Sequence, residues 1–139
     1  MCGRYTQVMS WSEMIGFYRI TDTTHRLNLP PRYNIAPTQE APIVRAIGDG
    51  RRLDLLRWGL VPAWAKDINI GVRMINARAE TVAEKPSFKA AFHRRRCLVT
   101  SDGFYEWQQT PAGKQPYWIT LKGGESFAFA GLWERWEKA

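Results

Sequence analysis

The sequence predicts an α+β domain dominated by antiparallel β-sheet, barrel-like in arrangement, with a few short helices. From Cys97 onward, aromatic and β-branched runs alternate with Asp102-Gly103, Pro111-Ala112-Gly113 and Lys122-Gly123-Gly124, the pattern of strands joined by tight turns. Apolar residues at helical spacing occur only in short windows. The 139 residues are 45% hydrophobic and 13% aromatic, with no repeat and no low-complexity tract, which suits a single packed domain over 1–139.

Each element has its own cause. Ser10 and Glu13 form a capping box, and Trp11, Met14, Ile15 and Tyr18 then share one face, so the first helix is expected from Ser10 to Tyr18. Pro30, Pro31, Pro37 and Pro42 fix φ along Leu29 to Pro42, so Arg32 to Pro37 is expected to be a rigid loop. Arg51 to Trp58 reads as a strand. Gly59 to Trp64 contains Pro62 and places Trp64 on a stiff turn. Val72 to Arg78 reads as extended. Pro86 suits the first position of a helix through Arg94, with Phe88, Ala91 and Phe92 on one face and a basic end from His93 to Arg96. Cys97–Thr100, Phe104–Gln108, Tyr117–Leu121 and Phe127–Trp133 follow as an antiparallel meander. Large apolar side chains at Leu132, Trp133 and Trp136, close to Ala139, lead to the expectation that the sequence lacks a C-terminal part of its domain.

Twenty Lys and Arg against thirteen Asp and Glu leave a formal charge of +7, which favours a polyanionic partner by Coulomb attraction. The apolar runs are broken by Arg, Gly or Pro before they could cross a bilayer, and the chain opens without a secretion signal, so a cytoplasmic protein with no membrane partner is expected, nucleoid-associated if bacterial. Two cysteines, Cys2 and Cys97, make no disulfide framework. Together with His25 and His93 they lack the paired spacing of zinc sites, and phosphate-loop and dinucleotide fingerprints are absent, so no metal and no cofactor are expected.

Cys2 follows the initiator, and its small side chain permits Met1 to be removed. The product is a 1,2-aminothiol. Its amine forms an imine with an aldehyde and its thiol closes onto the imine carbon, giving a thiazolidine. An α-amine has an ordinary pKa of about 7.7 to 8.0, so much of it is neutral and nucleophilic near neutrality. Position alone also allows an inert terminal residue. Asn76 and Arg78 stand two apart in the extended reading, on one face, as an amide and a forked cation suited to phosphate; a solvated strand face with a structural Asn is the commoner reason for such a pair. Glu106 lies among aromatics in Gly103-Phe104-Tyr105-Glu106-Trp107, where it can exchange protons or simply face solvent. Trp64 can stack on a nucleobase or fold back on the core.

Taken together, these segments resemble the SOS-response-associated peptidase family, whose members recognise abasic DNA. The match runs over essentially the whole chain: Cys2-Gly3-Arg4-Tyr5, Arg32 to Pro37, Trp58 to Pro62, Ile75 to Thr81, Gly103 to Trp107 and Phe129 to Trp133 stand in the family's order and spacing. The resemblance implies Cys2 as the nucleophile, Asn76 holding the reacting amine and sugar, and Glu106 moving protons. It implies DNA binding by Arg4, Pro37, Trp64 and Arg78. The substrate would be single-stranded or junction DNA containing an abasic site, and the enzyme an abasic-site crosslinking one of lyase or peptidase type. An autoprocessing N-terminal-nucleophile peptidase and a noncovalent single-strand-binding module are the alternatives. The family pattern continues to a His-x-Arg-Met-Pro motif with no equivalent before Ala139, and a homo-oligomer is expected if a partner chain supplies the missing strands.

Overall fold

A computed structural model describes residues 2–138 and consists mainly of two four-stranded antiparallel sheets with few short helices. Strand β1 (Tyr5–Gln7) leads to helix α1 (Trp11–Phe17), then β2 (Arg32–Ile35), β3 (Glu40–Ile47) and β4 (Gly50–Arg57). A 3-10 helix (Ile68–Arg73) and helix α2 (Lys89–Arg94) precede β5 (Arg96–Ser101), β6 (Gly103–Thr110), β7 (Gly113–Ile119) and β8 (Phe127–Leu132). One sheet has the order β2-β1-β6-β7 and the other β4-β3-β5-β8.

The sheets face each other through aromatic side chains. Tyr5 of β1 meets Phe129 of β8 edge-on at 5.9 Å, and Phe104 of β6 meets the same ring at 5.8 Å. Ile35 and Ala41 complete this buried cluster. The other face of the second sheet is covered by α1, where Met14 and Tyr18 pack with Ile20, Val44 and Leu53. The capping box forms as expected: Glu13 N–H donates to Ser10 Oγ, and Ser10 N–H to the Glu13 carboxylate. Met14 is fully buried, and hiding a side chain of this size contributes roughly 1.5 to 3 kcal/mol. No helix among the described residues is long and apolar enough to cross a membrane.

Several sequence expectations are corrected. Arg32 to Ile35 is a strand rather than loop, because it lies between the prolines and pairs with β1, Tyr5 opposite Ile35. Pro42 sits inside β3, where pairing with β5 has not begun: that register starts at Ile43, so at Pro42 the partner is β4. Val72 to Arg78 is not extended; Val72 and Arg73 end the 3-10 helix and 74–78 is irregular. Pro86 lies in a turn, and α2 starts three residues later at Lys89.

The expected single meander is split. Strand β5 pairs with β3 and β8, whereas β6 pairs with β1 and β7. Asp102 is therefore a corner between sheets and not a hairpin turn. Its side-chain oxygens accept the Val8 N–H at 2.8 Å and the Thr6 hydroxyl, so both are hydrogen-bonded where the chain changes sheet. Pro111-Ala112 does make a hairpin, joining Thr110 to Gly113.

Candidate functional site

Cys2 is half-buried and lines a largely apolar cavity of about 820 Å³ set mainly between the second sheet and the segment 58–92, whose walls include Tyr5, Trp58, Asn76 and Phe129. Its Sγ–H donates to the Arg4 carbonyl at 3.1 Å. Its own carbonyl accepts Asn76 Nδ2–H at 2.8 Å, so two residues 74 positions apart are joined through the Cys2 backbone. Burial pushes the Cys2 thiol above its ordinary pKa of 9.0, and the Glu106 carboxylate adds to the rise, so the sulfur is a protonated thiol at neutral pH. That influence places Glu106 within electrostatic reach of the sulfur. Cys97 is the more deeply buried thiol, pushed up to about 11 by desolvation.

Why Asn76 can reach Cys2 follows from Trp58. The Trp58 carbonyl accepts the Thr38 N–H at 2.9 Å, its N–H donates to the Gln39 carbonyl at 2.9 Å, and its indole N–H donates to the Ile75 carbonyl at 2.8 Å. The ring stands edge-on to Tyr5 at 5.2 Å. One residue, through its backbone and its ring, thus ties the Pro37 turn, the Asn76 segment and the strand after Cys2 together. Behind it, Gly59 and Gly71 pass back to back: a Cβ on Gly59, at φ +120°, would lie 2.5 Å from the Gly71 carbonyl oxygen. Only glycine allows this approach.

The remaining candidate residues surround this centre less tightly. Arg4 donates to Asn34 Oδ1 at 3.2 Å. Pro37 is half-buried in the turn that Trp58 holds. Arg78 is exposed on irregular backbone, so the shared strand face expected for Asn76 and Arg78 is absent, and its carbonyl accepts the Val82 N–H at 2.9 Å. Trp64 is 60% exposed on the turn closed by Ala65 N–H to the Pro62 carbonyl, and does not fold back on the core. Expected removal of Met1, and the amine it would free, lies outside the described residues.

Sequence reasoning missed Trp58 and Trp136 as organising residues. Trp136 donates its indole N–H to the Ala65 carbonyl at 2.7 Å and so pins the Trp64 turn. A lone tryptophan in a sequence carries no sign of where its N–H goes; Trp58 stood within a motif, but only its backbone neighbours reveal its reach.

Known proteins resemble this arrangement along nearly its full length. The abasic site processing protein YoqW of Bacillus subtilis (strain 168) is 45% identical over 137 residues, covering 98% of this chain and 61% of the relative. The abasic site processing protein HMCES of Rattus norvegicus is 32% identical over 171 residues, covering 98% of this chain and 48% of the relative. A crystal structure of a Bacteroides thetaiotaomicron protein superposes with a TM-score of 0.83 at 27% identity, covering 97% of this chain and 61% of that one. The chain thus spans about three fifths of the length of the YoqW relative. With the family model for SOS response associated peptidase (SRAP) matching residues 1–139, the chain belongs to the SRAP family.

Proposed function

We propose that this chain handles abasic sites in DNA and, with Met1 removed, captures them covalently through Cys2 as a thiazolidine. The observation that carries the reading is the Asn76 hydrogen bond to the Cys2 carbonyl, beside a carboxylate that bears on the Cys2 thiol. The names of the YoqW and HMCES relatives support the substrate class. Single-stranded or junction DNA is the form that Trp64 and the cations Arg4 and Arg78 suit, since stacking and phosphate contact need no groove.

The chemistry follows in order. An abasic sugar opens to its aldehyde by moving a proton from the anomeric hydroxyl to the ring oxygen, a transfer within the range of Glu106. The neutral Cys2 amine adds to the aldehyde carbon and the resulting carbinolamine loses water, leaving an imine. The thiol sulfur then bonds to the same carbon while its proton passes to the nitrogen, with Glu106 as carrier. One water is released in total. Because the thiol is held protonated, the amine acts first and the sulfur second. Asn76 fixes the Cys2 backbone, and with it the relation between nitrogen and sulfur, which is where proximity contributes to rate.

The test is a denaturing gel of the protein with an abasic single-stranded oligonucleotide. A stable adduct is expected from protein lacking Met1, lost in Cys2→Ala and reduced in Asn76→Ala and Glu106→Gln. The closure step should quicken as pH rises past the thiol's ordinary 9.0, because the fraction of thiolate keeps growing there. An adduct that persists in Cys2→Ala refutes the proposal.

A further inference from the structure

The second sheet turns one continuous apolar face toward the cavity that Cys2 lines. Register sets Ile43, Val99 and Phe129 side by side across β3, β5 and β8, with Cys97 opposite Gly131, and directly opposed residues share a face. All five line the cavity. A Cβ on Gly131 would come within 2.8 Å of Val99 Cγ2 and 3.0 Å of Cys97 Sγ, so those two side chains close over position 131 and complete the floor there. Val61, Met74, Phe88 and Phe92 of the segment 58–92 form the other wall.

The charged residues on the lining are already engaged or turned to solvent. Arg96 is exposed, stacks its guanidinium 4.5 Å over the Phe92 ring and donates to the Phe92 carbonyl at 2.6 Å. Arg57 is exposed, and Glu134 pairs with Arg95 at 2.7 Å. A volume of about 820 Å³ falls within the range of small-molecule sites, which set apolar walls around a few polar groups that fix the ligand. Here the groups that can do so are the Cys2 thiol and the Asn76 amide.

Chemistry and packing each select one part of an occupant. An aminothiol at Cys2 selects an aldehyde, whose carbonyl carbon accepts first the amine and then the sulfur. The walls select an uncharged alkyl or aryl chain, because a deoxyribose flanked by phosphates is polar and anionic and would lose its hydration against them. Cys2 packs against the same buried cluster as Trp58, Val99 and Phe129, so a chain carried on a carbon bonded to Cys2 starts on the apolar lining.

We propose that Cys2 also captures small apolar aldehydes, the chain lying in the cavity while the carbonyl carbon becomes the ring carbon of a thiazolidine. The inference rests on the aminothiol chemistry proposed above and adds a second substrate class to that site. The amine nitrogen bonds to the carbonyl carbon, water leaves, the sulfur bonds to the same carbon, and the thiol proton passes to the nitrogen. The adduct has the mass of both reactants less one water, and no oxidant or reductant takes part.

The experiment incubates the full chain lacking Met1 with propanal, hexanal or octanal and follows the adduct by intact-mass spectrometry. The peptide Cys2-Gly3-Arg4-Tyr5 serves as the same aminothiol without a cavity. The capture rate of the protein relative to the peptide should rise at least about tenfold from propanal to octanal, since every added methylene is buried on the walls. The alcohol 1-octanol, with the chain and no carbonyl, should slow octanal capture by the protein and not by the peptide. A rate ratio that stays flat from propanal to octanal overturns the inference, as does an octanal adduct that persists in Cys2→Ala. A flat ratio beside intact capture of an abasic oligonucleotide would remove this inference alone. Failure of every aldehyde and of the oligonucleotide would remove the proposed function with it, whereas a rising ratio without oligonucleotide capture would leave the aldehyde site standing.

Discussion

Strands β3 and β4 run in unbroken register from Glu40 opposite Arg57 to Ile47 opposite Gly50, whereas the segment from Trp58 to Arg78 that carries Asn76 is fixed, outside its one short 3-10 helix, by bonds that do not repeat. In the hairpin each ladder bond is backed by its neighbours, and Val44 and Leu53 lock it to α1. In the second stretch the Leu60 N–H meets the Met74 carbonyl at 3.0 Å, the Trp58 indole meets Ile75, and the two glycines touch. The first region is held by redundancy and the second by a few contacts, each with its own task. Stability and positioning are thereby lodged in different places, and substitutions can separate them.

The largest effect on stability is expected from Leu53→Ala, which opens a void between β4 and α1. It should cost about 2 to 5 kcal/mol in denaturant unfolding while folded protein keeps the Cys2–Asn76 geometry. Capture lost in proportion far beyond the unfolded fraction would show that the two regions are not separate.

Gly59→Ala comes next. A left-handed φ combined with the Gly71 carbonyl oxygen at 2.5 Å should cost on the order of 1 to 3 kcal/mol, and here the loss of capture should exceed what unfolding explains. Wild-type capture by Gly59→Ala would mean that the glycine contact does not align the Asn76 segment.

Trp58→Phe is the smallest and sharpest test. It keeps the ring against Tyr5 but leaves the Ile75 carbonyl without its donor, at a cost of about 1 kcal/mol. The expected result is a modest shift in the unfolding midpoint with a clear fall in capture rate. A variant that lost stability yet captured at the parental rate would reduce Trp58 to a packing residue.

The same contrast explains what could be read from the residues alone. Helix α1 and the Pro111-Ala112 hairpin were legible because each is specified by a local rule: a capping box and a turn. Strand β2 was hidden because flanking prolines dominate its composition, although none lies within Arg32 to Ile35. The division of the meander was hidden because the choice of sheet for β5 and β6 is made by Asp102 bonding Thr6 and Val8, nearly a hundred positions away. At the site, Cys2, Asn76 and Glu106 were each legible as residue types, and family-like motifs ordered them. Their meeting was not, because it depends on Trp58 and on irregular backbone that no period describes. The extended reading of Val72 to Arg78 failed for this reason: its polar groups answer to single distant partners.

Asn76 grips Cys2 by the carbonyl and leaves the side chain alone. The clamp is therefore indifferent to what position 2 carries, and alanine, serine or selenocysteine installed there would be presented in the same posture. A series of such replacements would compare sulfur, oxygen, selenium and nothing at a fixed place, making this corner of the molecule a holder in which the side-chain atom can be exchanged while the Asn76 bond to the backbone stays.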